Sequence, residues 1–117
     1  MSHPEIVLFG IRNCDTCKKA RAWLDTRGVS YQFHDFREDG LERSILEDLE
    51  HAVGWEHLLN RRSTTWRELS DEDRAHLTRD KALQLMLQFP TLIKRPVLKV
   101  GNNMFSGFSP ALYEKAL

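Results

Sequence analysis

The chain has two cysteines in 117 residues, too few for the disulfide framework of a small secreted domain. Net charge is absent as well: 17 Lys and Arg balance 17 Asp and Glu. That lacks the basic excess of a general nucleic-acid binder, so no direct nucleic-acid partner is expected. No apolar run approaches the ~20 residues of a membrane span, so no membrane partner is expected either. The first residues, Met1-Ser-His-Pro-Glu5, lack the charged-then-apolar pattern of a signal peptide. The cytoplasm is therefore the expected location, and there two cysteines signal reactivity or metal binding more often than a structural disulfide. The five histidines show no ligand spacing with the cysteine pair. One C-x-x-C supplies only half a tetrahedral site, so no metal is expected. Repeats and low-complexity segments are missing. What remains is an ordinary globular composition, 41% hydrophobic and 29% charged, which predicts one domain over residues 1–117 with one core.

The informative stretch is Ile6 to Leu24. Ile6, Val7, Leu8 and Phe9 form a continuous apolar run that suits a strand covered on both faces. Gly10 breaks the run. Cys14 then falls where a helix starts, and Cys17 follows one turn later. Free N–H groups and the positive end of the helix dipole favour a thiolate there. A cysteine so placed can fall from ~8.5 to roughly 3.5–7.5 in pKa. Lys18, Lys19 and Arg21 add positive charge nearby. The competing reading is two ordinary buried cysteines, but C-x-x-C after a strand in a β-α-β pattern is a redox signature.

The rest of the chain supplies that pattern. A first helix is predicted from about Asp15 to Arg27, closed by Gly28. Val29, Tyr31 and Phe33 alternate with Ser30, Gln32 and His34, the period of a half-buried strand. Strand, helix and strand make a βαβ unit. Residues 41–89 then carry almost no strand signal. Leu41, Ile45, Leu46 and Leu49 form one apolar stripe. Trp55, Leu58 and Leu59 suggest a short helix, and Thr65-x-x-Glu68 and Ser70-x-x-Asp73 resemble helix starts. A last helix of the block, Asp80 to Phe89, is stopped by Pro90. Strand signal returns at Pro96–Val100 and Asn103–Ser106 around a Gly101-Asn102 turn. Ser109-Pro110 opens a terminal helix, with Phe108 and Tyr113 placed for a hydrophobic staple. Trp23, Trp55 and Trp66 are expected in the core, and His34 on the solvent side of its strand.

The predicted class is therefore α/β: a thioredoxin-like mixed sheet, β-α-β then β-β-α, with a helical insertion subdomain at about 41–89. Such a core sets the C-x-x-C loop opposite a proline that opens the third strand, here Pro96. With a cis Arg95–Pro96 bond, the backbone of Arg95 would face Cys14.

Five blocks carry a family resemblance: Cys14-Asp-Thr-Cys-Lys-Lys-Ala20, Phe33-His-Asp-Phe-Arg37, Leu58 to Arg67, Ile93-Lys-Arg-Pro96 and Gly107-Phe-Ser109. Together they resemble the arsenate-reductase (ArsC) superfamily, and within it the Spx/YffB-type branch. The resemblance implies a nucleophilic Cys14. It also tests substrate. Arsenate reductases of the family set three arginines around the oxyanion. Arg95 matches one. Asn60 stands where the second should follow Leu58-Leu59, with Arg61 and Arg62 displaced, and Gly107-Phe108 stands where the third should precede Ser109. Two missing charge-assisted contacts, each worth ~1.5–3 kcal/mol, make arsenate the less favoured substrate.

YffB-type members imply a glutathione-dependent thiol reductase. Spx-like regulators of RNA polymerase use the cysteine pair as a redox switch. For the first, Cys14 attacks a protein or small-molecule disulfide, Cys17 resolves it, and glutathione or glutaredoxin returns the electrons. Glutathione is then a co-substrate, and no tightly bound cofactor is expected. Arg95 would bind a glutathione carboxylate, the backbone at Arg95 and Pro96 would pair with the bound peptide, and Asn13, Lys18 and Arg62 would complete the cleft. For the second, the partner would be the α-subunit of RNA polymerase. A chain that stops at Leu117 with no basic excess counts against it. Cys17 could also be a small apolar side chain on the buried helix face, Arg95 a surface ion pair, the Asn60–Arg67 run a capped turn, and the whole a fold retained without activity. A monomer is expected.

Overall fold

The computed structural model describes residues 5–117. The leader pattern concerns residues that lie largely outside that range. Two compact units are present, one built from residues up to 40 together with 95–117, the other from 41–94.

The first unit is organised on β1 (Ile6–Gly10), whose Val7, Leu8 and Phe9 are all buried. Helix α1 spans Asp15–Thr26 and β2 spans Gln32–Asp35. After the second unit come β3 (Val97–Val100), β4 (Asn103–Ser106) and the terminal helix, Pro110–Ala116. The sheet order is β2-β1-β3-β4. β1 runs parallel to β2 with Leu8 opposite Phe33, and antiparallel to β3 with Leu8 opposite Leu98. This is the thioredoxin-like mixed sheet. Its core is Leu8, Ala20, Leu24, Leu98 and Tyr113, each with no exposed surface. Tyr113 receives the edges of Trp23 and Phe108 at 5.7 and 4.8 Å between ring centroids, so the expected contact across the Ser109 cap is made. Ser109 Oγ accepts from the Leu112 N–H at 3.1 Å.

Two expectations need correcting in this unit. β2 begins at Gln32, not Val29. The Val29 N–H instead donates to the Leu24 carbonyl at 3.0 Å, and Gly28, at φ +67°, turns the chain out of α1. Val29 and Tyr31 still cover the core with their side chains. His34 is half-buried, tilted against Phe9 and bonded through Nε2 to the Gly40 carbonyl at 2.7 Å.

The second unit is helical. It contains α2 (Arg43–Val53), α3 (Trp55–Leu58), α4 (Thr64–Glu68), α5 (Asp71–Arg74) and α6 (Arg79–Gln88), then a 3₁₀ turn at Pro90–Leu92. The cap of α4 is Ser63, which accepts from the Trp66 N–H at 3.1 Å, rather than Thr65. The Thr65 hydroxyl is engaged with that of Thr91. Ser70 caps α5, as the pattern predicts, and Thr78 caps α6. The unit extends to Lys94 because Lys94 N–H donates to the Leu58 carbonyl and Asn60 N–H to the Leu92 carbonyl, both at 2.7 Å. None of Trp23, Trp55 and Trp66 is fully buried. Trp23 does pack against the core of the first unit, and Trp23 and Trp66 also carry the guanidinium groups of Arg27 and Arg61, at 4.6 and 5.7 Å.

Tyr113 is fully buried, yet its hydroxyl meets no hydrogen-bond partner among the described residues. An unpaired buried hydroxyl costs stability, so Tyr113→Phe is expected to stabilise the fold by about 0.5–1.5 kcal/mol. Denaturant melts read this directly, and a lowered midpoint would disprove it.

Candidate functional site

The site is built where β1 hands over to α1. Cys14 is the N-cap of α1, with extended backbone at φ −128° and ψ 125°, and its carbonyl accepts the Lys18 N–H at 2.9 Å. Its side chain is half-buried. Cys17, one turn on, faces the core and is fully buried. Its sulfur lies tight against the end of β1: a Cβ on Gly10 would stand 2.6 Å from Cys17 Sγ. Gly10 is therefore not a strand breaker. It is the last paired residue of β1, opposite Asp35, and it is glycine because the thiol needs the space.

Both cysteines are free thiols, and their surroundings drive them apart. Burial pushes the Cys14 pKa up. The Cys17 backbone N–H, the Arg95 guanidinium and the Cys17 thiol outweigh it, so Cys14 sits below its ordinary 9.0. No capping hydrogen bond closes at the Cys14 side chain, so the Cys17 N–H acts as an oriented dipole at the helix N-terminus. Cys17 moves the other way, pushed up to about 12 first by burial and then by the charge of Cys14, against a hydrogen bond from the Ile11 backbone. The cation that acts on Cys14 is Arg95. Arg21 stacks on Phe33 at 4.4 Å, and the Lys18 ammonium lies 3.5 Å from Asn13 Oδ1. The Arg95–Pro96 peptide is cis, and Pro96 is buried.

A residue that periodicity does not reveal holds this arrangement. Asp35, at the end of β2, is 1% exposed. One carboxylate oxygen accepts the Arg12 N–H at 2.6 Å. The other accepts the N–H groups of Arg37 and Glu38 at 2.7 and 2.9 Å. Burial opposes ionisation, but the N–H groups of Glu38, Arg12 and Arg37 together outweigh it and hold the carboxyl below its ordinary 3.8. The only sequence signal was its place inside the Phe33–Arg37 block.

Of the predicted site residues, Asn13, Cys14, Cys17, Lys18, Arg95 and Pro96 belong to the first unit. Arg62 belongs to the helical unit. There its N–H donates to Asn60 Oδ1 at 3.1 Å and its carbonyl accepts from Arg67 at 3.4 Å, within a capped turn. Among the described residues no group of His, Cys, Asp and Glu could hold a metal ion, and no helix is long and apolar enough to cross a membrane.

A model of the ArsC family matches residues 9–116. A solved structure of a YffB protein is 46% identical and superposes with a TM-score of 0.91, covering 96% of this chain and 98% of that one. An uncharacterized protein of Haemophilus influenzae is 40% identical over 111 residues, 95% of this chain and 97% of its own length. The global transcriptional regulator Spx of Streptococcus mutans is 31% identical over 106 residues, 89% of this chain and 77% of its own.

The electrostatics set the expected pH behaviour of both groups. In a Cys17→Ser background, the pH profile of Cys14 alkylation is expected to have its midpoint below 9.0, and Arg95→Gln to move it upward. A midpoint at or above 9.0 would contradict the geometry. For Asp35, the folded pKa is depressed, so its contribution is present above 3.8 and lost as pH falls through the lower folded value. Asp35→Ala is therefore expected to cost about 2–4 kcal/mol at neutral pH. The gap from the parent protein should narrow in acid melts below 3.8, and a gap constant with pH would refute this role.

Proposed function

The chain belongs to the ArsC family, and from that membership and the chemistry around Cys14 we propose that it is a cytoplasmic, glutathione-dependent thiol–disulfide oxidoreductase. The observation that carries this reading is the placement of two thiols within one helical turn: Cys14 half-buried at the N-cap of α1, where the Cys17 N–H and Arg95 favour its thiolate, and Cys17 buried one turn inward, where burial keeps it protonated. The Cys14 thiolate attacks one sulfur of a disulfide, forms a mixed disulfide and releases the other half as a thiolate. Cys17 then loses its proton and attacks Cys14 Sγ, which releases the second thiolate and leaves a Cys14–Cys17 disulfide. The order is set by charge. While Cys14 is a thiolate, it keeps Cys17 protonated. Once Cys14 is in a mixed disulfide that charge is gone, and Cys17 ionises more easily. Two molecules of glutathione, or a glutaredoxin, reduce the internal disulfide and restore the dithiol. Arg95 stabilises the thiolate in the resting state and can bind a carboxylate of the incoming glutathione. Asn13, Lys18 and the backbone at Pro96, which belong to the same unit as Cys14, complete the proposed contacts.

The Spx relative supports a second reading, a redox-switched regulator that contacts the α-subunit of RNA polymerase. The two separate cleanly. Exposed to oxidised glutathione and read by intact mass, the reduced protein is expected to pass through a glutathione adduct to a species two hydrogens lighter. Cys17→Ser should stop at the adduct and Cys14→Ser should form none. Retained exchange in Cys14→Ser would end the reductase reading. Capture by the C-terminal domain of the polymerase α-subunit, dependent on the cysteine redox state, would favour the regulator.

A further inference from the structure

A pocket of about 430 Å³ opens beside the nucleophile, lined by Arg12, Asn13, Lys18, Asp35, Arg37 and Glu38 with Ile11 at its base. Asn13 directly precedes Cys14, and Lys18 lies one turn beyond it on α1. We infer that this pocket is a carboxylate subsite that selects acidic low-molecular-mass disulfides, with Arg37 as the residue that reads the charge. The inference rests on the exchange chemistry proposed for Cys14.

The charges in the pocket are not equivalent. Asp35 is spent on three main-chain N–H groups at 2.6–2.9 Å and presents almost no surface. Glu38 is paired with the Arg12 guanidinium at 3.1 Å. Both acids are thus engaged by donors within the protein, Asp35 by main-chain N–H groups and Glu38 by a guanidinium. Two cations are left facing the space, Lys18 and Arg37, and neither has an acidic partner among the described residues. The Asn13 amide oxygen lies 3.5 Å from the Lys18 ammonium. The walls are also preformed. Asp35 holds Arg12 on the β1–α1 loop and Arg37 on the loop after β2 by their backbones, so both loops keep their spacing without a ligand. The volume falls in the ordinary range for small-molecule sites. A thiol partner joined to Cys14 and carrying a carboxylate a few bonds from its sulfur would place that group between Lys18 and Arg37. A neutral partner would gain nothing there, and a cationic one would be repelled.

The test compares rate constants of the reduced protein with three small disulfides: dithiodipropionate, which is anionic, bis(hydroxyethyl) disulfide, which is neutral, and cystamine, which is cationic. With each rate constant divided by that of a small free thiolate, which removes the difference in leaving-group acidity, the parent protein is expected to favour the anionic probe. Arg37→Gln should lower the anionic-to-neutral ratio about three- to fivefold, the scale of an exposed ion pair. Arg37→Glu should turn the preference toward cystamine. Lys115→Gln, a charge change on the exposed terminal helix, should leave the ratio as it is. An equal fall in Lys115→Gln, or one ratio shared by the parent and both Arg37 variants, would overturn the subsite while leaving the exchange chemistry standing. Failure of Cys14 to react with any of the three would overturn the exchange chemistry and the subsite with it.

Discussion

Strand pairing between β1 and β2 ends at Gly10 and Asp35, and from there the Asp35 carboxylate takes over. It gathers N–H groups from both departing loops, which would otherwise be short of partners where the sheet runs out. A buried carboxylate is costly without donors. Three main-chain donors reverse that balance, and no side-chain rotamer has to be ordered to supply them. The loop that precedes Cys14 is thereby fixed at Arg12, two residues before the thiol. The chain enters α1 three residues after that anchor.

The cysteine pair shows how a small change of position makes two different reagents from one side-chain type. Cys14 is at the first position of a helix, beside a guanidinium and half open to solvent. Cys17 is one turn inward, where its sulfur fills the gap left by Gly10. Burial and the neighbouring negative charge act in the same direction on Cys17, whereas on Cys14 burial is overcome by donors. The two readings of Cys17, resolving thiol and small core residue, are therefore not in competition. It is buried in the way a core residue is buried, and that same burial raises its pKa, as a thiol held in reserve would require.

Much of this was legible in the sequence because the signals were local. Ile6–Phe9, the Cys14 cap position, Gly28, Ser109-Pro110 and the Gly101-Asn102 turn each state their structure within a few residues. The Arg95–Pro96 geometry came from the order of the elements. What sequence missed depends on contacts across distance. Gly10 reads as a breaker until the thiol packed on it is seen. Asp35 looks like any strand-end acid until its N–H partners, one of them 23 residues away, are placed. Thr65 matched a capping pattern better than Ser63, but its hydroxyl was claimed by Thr91, 26 residues on. The tryptophans looked like core by size, and Trp23 does pack on the core, yet Trp23 and Trp66 are only half covered and carry arginines on their open faces.

The position of β1 in the sheet has a consequence for how the chain assembles. Its parallel partner β2 arrives soon after it, through α1. Its antiparallel partner β3 comes after the whole helical unit, so that Ile6 lies opposite Val100. The sheet thus consists of two pieces of low contact order, β1–α1–β2 and the β3–β4 hairpin with its terminal helix, joined by one seam of high contact order. Closing that seam carries the largest loop-closure entropy in the sheet. The length of chain between the halves enters only weakly, because each doubling of the loop adds only ~0.6 kcal/mol to the closure cost. Insertions into the helical unit therefore cost the sheet little, and the surroundings of Cys14 can keep their geometry while the segment between the two halves of the sheet varies in length.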